Sequence, residues 1–299
     1  MPLVWTGSDI RYKRFIFVRL DQDMKIPQEI KIIQKAETIT DGLIPLHDCT
    51  FIIPVRIESE DRLNNFKIVY DYLRRNFETN IMVYECSKEK KAHDLVNNDV
   101  TYIYEDPDEN IFHRTRYLNR MLSIVTTPIT VNYDIDVVLP IESYLMAYKK
   151  IIRQNYDLVY PFAIGEFQKK VNVNGRKKLS EQRSIVELTS NDYTDSLCEY
   201  GHCQFFKTES YKKYGWENEH FVSYGPEDRE RYERFVKLET KVMHLDKGFV
   251  YHIEHSRGED SSDKNPMFKH NNGLYDKLKC MSKDQLTKYY NEIDYVKSY

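Results

Sequence analysis

The sequence predicts an α/β protein built on a mainly parallel central sheet flanked by helices. The first observation behind this is alternation. Short apolar runs at 50–55, 80–85, 100–104, 128–133 and 157–161 are separated by segments with helical spacing at 59–76, 111–125 and 141–153. Strands joined by helices of that length are crossover units, which make parallel pairs. The second is size and balance: 299 residues, 41% hydrophobic and 30% charged, suit one large domain with a sizeable core. The expected division is a lead-in over 1–48, packed on a main domain over 49–299.

In the lead-in, 14–19 reads as a short strand and 26–35 as a short helix, and neither carries chemistry. At Thr50 the pattern changes. Thr50-Phe-Ile-Ile-Pro-Val55 is apolar throughout and bounded by polar residues, as a strand buried on both faces should be. Leu63, Phe66, Ile68, Val69, Tyr72 and Leu73 then recur at close to helical spacing with charges between them. The strand at 128–133 ends on Asp134. Residues 166–196 are polar and rich in Lys, Arg, Ser, Asn and Asp, and read as a long loop or flap. From Ser282 a short amphipathic helix carries Leu286, Tyr289, Tyr290 and Ile293.

Composition narrows the function. The net charge of −3 argues against a general nucleic-acid binder, and clusters such as 176–178 read as solvated surface. Five cysteines with no C-x-x-C spacing fit neither a disulfide framework nor a zinc site, and point to a reducing cytosol. The first residues lack signal-peptide organisation, and no apolar run approaches the roughly 20 residues that span a bilayer. The expectation is a cytoplasmic protein with at most peripheral membrane contact. The 24 tyrosines suit a wet sugar cleft, since Tyr buries a ring and still offers a hydroxyl, and they suit an AT-rich genome equally well.

Parallel sheets bind ligands at the carboxyl ends of their strands, so the chemistry is sought there. Asp134-Ile-Asp136 follows an apolar strand, and two carboxylates at that spacing can surround a hard divalent ion. The same triplet occurs at 21–23 and 106–108, away from any central strand end. Gly225-Pro-Glu227-Asp228 opens a helix, where acids favour the N-terminal dipole and a carboxylate facing a cleft can take a proton from a hydroxyl. His252-Ile-Glu-His255 can bring two imidazoles to one metal. Arg56 follows the first central strand, and Arg114 and Arg116 start the second helix, where a nucleotide's phosphates would lie. Each of these also has a structural explanation: a polar strand end, a helix cap, a chance His pair, a surface ion pair.

Their order is more specific than any one of them. Pro54-Val-Arg56, Arg114-Thr-Arg-Tyr-Leu-Asn119, Asp134-Ile-Asp136, Gly201-His-Cys-Gln-Phe-Phe206, Gly215-Trp216, Tyr224-Gly-Pro-Glu-Asp228 and His252-Ile-Glu-His-Ser-Arg257 follow one another. In that order they resemble the β-1,4-galactosyltransferase group and the galactosyltransferase domains of chondroitin-type polymerases, over about residues 50 to 270. The resemblance implies a GT-A fold and an inverting, metal-dependent glycosyltransferase. The donor would be a UDP-sugar carrying a hexose or N-acetylhexosamine, galactose type favoured, and the acceptor a saccharide or lipid-linked saccharide. The cofactor would be Mn²⁺, with Mg²⁺ as the alternative.

Carried over by motif, Asp136, His252 and His255 would hold the metal, and Asp228 would be the catalytic base. Arg56, Glu85, Arg114 and Asp134 would meet the donor nucleotide, and Glu227, Tyr224 and Trp216 the acceptor. This chain departs from the family pattern in several places. Pro226 replaces a Gly, Arg229 an acid, Tyr224 a Trp and His252 a Met, and Gly201-His202 stands for Gly-Gly. With neither the anchor nor the disulfides of the animal relatives, a bacterial enzyme of surface-polysaccharide synthesis is implied. A retaining transferase on the same fold and an inactive sugar-binding domain are the alternatives. A nucleotidyltransferase is disfavoured because 54–58 has no Gly for a phosphate loop.

Overall fold

The structure is a computed structural model and describes residues 42–107, 111–181, 184–256 and 262–299. The strand and helix expected at 14–19 and 26–35 lie outside the described residues. The main unit runs from Leu43 to Tyr299.

Strand β1 (Ile44–Val55) begins inside the expected lead-in and is interrupted by a bulge between Leu46 and Thr50. Its second half is fully buried, because both faces are covered. Ile52 packs with Tyr117, Leu118 and Met121 of helix α2 (Arg114–Ile124), while Phe51, Ile53 and Val55 join the main core on the other face. That two-sided burial is why the run is continuously apolar. Helix α1 (Glu60–Asn76) starts where Ser59 Oγ accepts from the Arg62 N–H, with Glu60 and Asp61 in its first turn, an N-cap and a dipole-matched start. It leads into β2 (Phe77–Cys86), parallel to β1, and then β3 (Thr101–Glu105), parallel to β2.

After α2 the chain returns to the other side of β1 as β4 (Ile129–Tyr133), also parallel to it. The order in the main sheet is β10-β6-β9-β4-β1-β2-β3. Here β6 is Leu158–Tyr160, β9 is Cys203–Lys207 and β10 is Val242–His244. Among the described strands of this sheet, β9 alone runs against its neighbours. The α/β class with a mainly parallel sheet flanked by helices is therefore what the structure has. The chain reverses direction across the sheet between β1 and β4, which opens a crevice beyond their carboxyl ends, the usual ligand site of such sheets.

The expected polar flap over 166–196 is instead a second small sheet. Strands β5 (Val137–Val138), β11 (Val250–Ile253), β7 (Gly165–Val171) and β8 (Tyr193–Cys198) pair in that order, with helix α4 (Val173–Ser180) between β7 and β8. Helix α3 (Ile141–Gln154) lies between β5 and β6. The polar sequence hid β7 and β8 because one face of the pair is solvated. Lys169 lies on that pair over the rings of Tyr193 and Phe249, its ammonium paired with Asp195. Among the described residues, three further α-helices follow the short helix α5 (Thr208–Lys213). They are α6 (Glu227–Lys237), α7 (Phe268–Cys280), which sequence periodicity did not reveal, and α8 (Lys283–Glu292), the short helix expected from Ser282, whose side chain caps it. No described helix is long and apolar enough to cross a membrane.

Candidate functional site

A cleft of about 230 Å³ opens at the carboxyl ends of β1 and β4. Eight of the residues singled out in the sequence line it: Arg56, Arg114, Asp134, Asp136, Tyr224, Glu227, Asp228 and His255. They come from five separate stretches of chain, and the sheet order brings them together.

The β4 end is fixed first. Asp134 donates its N–H to the His202 carbonyl at 3.0 Å and accepts the His202 N–H on Oδ2 at 3.1 Å. Arg114, at the start of α2, donates from Nη2 to Asp134 Oδ1 at 2.7 Å. Burial raises the Asp134 pKa, while Arg114 works against that rise. His202 stands where the resemblance has its second Gly, and its φ of 74° lies in the left-handed region that Gly adopts without strain. In the sequence His202 stands out only as a departure from the Gly-Gly pattern, and no role was assigned to it. Its Nε2 meets Gln168 Oε1 at 2.9 Å and its ring lies 5.7 Å from that of His252. Burial first, then the nearby His252, lowers its pKa to about 4, so the ring is neutral at physiological pH.

Two residues on, the small sheet delivers the histidines to Asp136. His252 is paired with Val137 in the β5–β11 register, and the Ile253 N–H donates to the Asp136 carbonyl at 2.7 Å. Asn65 of α1 donates to the Ile253 carbonyl at 3.0 Å and ties the same turn to the main domain. His255 Nε2 then lies 2.9 Å from Asp136 Oδ2, and His252 Nε2 3.8 Å from Asp136 Oδ1. Among the described residues, the ligand atoms of these three side chains all fall within 4.8 Å of one another.

The chemistry of this donor set fits a cation. His255 Nδ1 is 2.7 Å from the Ser256 carbonyl, which can only accept, so Nδ1 carries the hydrogen. The neutral ring therefore turns its Nε2 lone pair onto a carboxylate oxygen. Two acceptors that close need a second proton on the ring or a metal ion between them. Adjacent ligands of one ion at about 2.1 Å are roughly 3 Å apart, which matches. Without an ion, the hydrogen bond to Asp136 raises the His255 pKa; burial opposes the ionised form of Asp136, but the two imidazoles together hold its pKa far below the usual carboxylate range.

Across the cleft, Pro226 precedes α6 and puts Glu227 and Asp228 on its first turn. Asp228 Oδ1 receives Arg231 Nη2 at 2.8 Å and faces Arg114 Nη1 at 3.6 Å. Burial would raise its pKa, but these two guanidinium groups prevail and lower it. Oδ2 has no hydrogen-bond partner among the described residues and lies 3.2 Å from where a Cβ on Gly201 would be. Replacing Gly201 by Ala would press on that oxygen. We expect turnover to fall about tenfold or more, since small misplacements at a reacting group are costly, with nucleotide affinity unchanged by calorimetry.

Glu227 behaves in the opposite way. Its Oε2 is buried without a hydrogen-bond partner, and burial first, then the Asp228 charge, pushes its pKa up to about 8. It is mostly a neutral acid at pH 7 and able to donate a hydrogen bond. The consequence for stability has a definite sign. Folding favours the protonated form, so Glu227 contributes most below its unfolded value of 4.5, and that contribution is lost as pH rises to about 8. Glu227→Gln should raise Tm at pH 8 by about 2–4 °C for each kcal/mol recovered and change it little at pH 4. Equal shifts at both pH values would contradict this.

Three of the sequence-derived residues, Glu85, Trp216 and Arg116, lie elsewhere, Arg116 on a separate pocket beside Glu105 and His113. Glu85 does end β2, but its carboxylate turns inward, accepting the N–H groups of Lys91 and Ala92 and the Tyr102 hydroxyl. A fully buried carboxylate needs such donors, and here they close the loop after β2, leaving Glu85 outside the cleft lining. Trp216 is also outside it, stacked on Tyr299 at 5.4 Å, with Lys212 Nζ 5.6 Å from its ring centre. His252 is not part of the cleft wall either, and reaches the site through Asp136. Conversely, Arg62 of α1 lines the cleft with no ion-pair partner among the described residues. Its place in the first helical turn after β1 was the signal available, and surrounding charges made it look like surface.

No protein-family model matches the chain, and no curated protein matches it in sequence. Solved structures do resemble it. GalNAc-T7 with UDP, GalNAc and Mn²⁺ has a TM-score of 0.49 and 11% identity, over 70% of this chain and 44% of that one. Staphylococcus aureus TarS has a TM-score of 0.44 and 15% identity, over 69% of this chain and 36% of that one. The mannosyltransferase PcManGT from Pyrobaculum calidifontis, in complex with GDP-Man and Mn²⁺, has a TM-score of 0.46 and 16% identity, over 77% and 64%. The chain thus spans less than two thirds of the length of each.

Proposed function

We propose that the protein is a metal-dependent glycosyltransferase of the GT-A type. It would move a hexose or N-acetylhexosamine, galactose type favoured, from a UDP-sugar to a saccharide hydroxyl with inversion, in surface-polysaccharide synthesis. The observation that supports this reading best is the pairing of two unlike groups on one cleft. Asp136, His252 and His255 converge as a cation-binding set, and Asp228 presents a carboxylate oxygen with no hydrogen-bond partner among the described residues.

Asp136, His252 and His255 would hold Mn²⁺, which when bound supplies positive charge to the diphosphate leaving group. Arg56, Arg62 and Arg114 line the same cleft and would bind and orient the phosphates. Asp134, held by Arg114 and His202, would fix Arg114 in that task. Asp228 Oδ2 would accept the acceptor's hydroxyl proton. The acceptor oxygen then forms a bond to the anomeric carbon as that carbon's bond to phosphate breaks, the electron pair leaving with UDP. Glu227, kept neutral, would donate a hydrogen bond to the acceptor, and the Tyr224 ring, stacked on Phe268 at 5.9 Å, would flank it.

The stereochemical part is tested by proton NMR of the product formed from an α-linked UDP-sugar. A β-linked product is expected. An α-linked product would replace the inverting mechanism with the retaining one.

A further inference from the structure

Beneath Asp228 lies a polar cluster with no access to solvent. Arg231 is 0% and Glu217 1% exposed, and Asn132 and Tyr211 are also fully buried. Glu217 takes two hydrogen bonds from Arg231, from Nε to Oε1 at 2.7 Å and from Nη2 to Oε2 at 3.0 Å. Tyr211 and Asn132 also donate to its Oε1. The backbone of Glu217 is pinned as well, its N–H donating to Asn119 Oδ1 at 2.9 Å and its carbonyl accepting from Asn119 Nδ2 at 3.0 Å. Arg231 is thus locked in place, and the nitrogen it shares with Glu217 is the one that reaches Asp228 Oδ1 at 2.8 Å.

A buried ion pair is a poor stabiliser. Taking two charges out of water costs several kcal/mol per ion, and well-packed apolar residues often do as well. This pair touches the cleft at one atom. We propose that Arg231, held rigid by Glu217, is a positioning residue that fixes Asp228 by Oδ1 and so presents Oδ2 to the acceptor hydroxyl. The inference rests on Asp228 being the base, as proposed for the reaction.

The fork geometry explains why an Arg serves here: Nε and Nη2 lie along one planar edge and engage Glu217 together, while the second hydrogen of Nη2 points on to Asp228. The other charged or titratable groups near Asp228 are Arg114 from α2, Asp134 just after β4, His202 before β9, Tyr160 from β6 and its neighbour Glu227. Of these, Arg114 alone adds positive charge at neutral pH, and at 3.6 Å it is the looser partner.

The test compares turnover and its pH profile in the double variant Arg231→Met/Glu217→Gln and in Arg231→Lys. The double variant strands no buried charge, and the amide oxygen introduced at position 217 can still accept from Tyr211 and Asn132. With a loosened base, kcat should fall about 100-fold while the donor KM stays put. The acid limb of the kcat profile should move up toward the ordinary carboxylate range. Arg231→Lys, which keeps the charge but not the fork, should recover part of both. A folded double variant whose kcat and acid limb stay within twofold of the parent would overturn the proposal. If the double variant does not fold, Arg231→Lys decides on the same criteria. Asp228→Asn, run beside them, separates the two levels. If it is inactive while the Arg231 variants are normal, only the positioning role falls. If it is active, the base assignment falls with it.

Discussion

Asp228→Asn should lower turnover by about 10²–10⁴-fold, the range a positioned general base contributes, and leave UDP affinity within twofold. The substitution keeps the side chain's size and its hydrogen bond from Arg231, so the cleft should hold its shape. What it removes is the oxygen able to take a proton. Among the described residues, no hydrogen bond or ion pair joins Asp228 to Asp136, His252 or His255, the groups assigned to the ion, so Mn²⁺ affinity should be untouched. The pH profile adds a second check. Arg231 and Arg114 keep the Asp228 pKa low despite its burial. The base is therefore ionised across the neutral range, and the acid limb of kcat should lie below the usual carboxylate value. Near-normal turnover of the Asn variant would remove Asp228 from the mechanism.

His255→Ala and Asp136→Asn should each weaken Mn²⁺ binding, measured by calorimetry, by more than the 10–100-fold typical of outer-sphere losses. Both carry opposed atoms of the closest pair in the cluster, His255 Nε2 and Asp136 Oδ2 at 2.9 Å. The fold should survive. Asp136 is anchored by its backbone carbonyl to Ile253, which neither substitution alters. His255→Ala also removes a ring that would otherwise need a second proton to sit beside the carboxylate. In the absence of metal the parent's stability advantage over that variant should be full below the ordinary His value and fade as pH rises through the raised His255 pKa, beyond which the variant is no less stable. Unchanged Mn²⁺ affinity in both variants would place the ion elsewhere or dispense with it.

Much of this site could be read in the sequence because of where its parts lie along the chain. β1 and β4 are buried on both faces, so their apolar runs stood out, and the chemistry sits close to their ends at Arg56, Asp134 and Asp136. Glu227, Asp228 and the His252–His255 pair were visible as short-range spacings. Glu85 was located correctly on its strand, but nothing in a linear pattern says which way a strand-end carboxylate turns. The nearest donors, the Lys91 and Ala92 N–H groups, decided it. Trp216 was likewise taken up by Tyr299, a partner far along the chain. The Glu217–Arg231 clamp spans 14 residues and a change of element, and neither residue differs in sequence from its charged neighbours. The small sheet was missed because β7 and β8 keep one face in water and read as loop.

On the proposed mechanism, a cation held by Asp136, His252 and His255 is needed to transfer a sugar from a UDP donor. The most direct test is UDP release from a panel of UDP-sugars with a mixed saccharide acceptor, with Mn²⁺ and with chelator. UDP should be released from one donor with Mn²⁺, release should stop on chelation, and it should return when Mn²⁺ is added back. Release that proceeds equally well in chelator would contradict the mechanism.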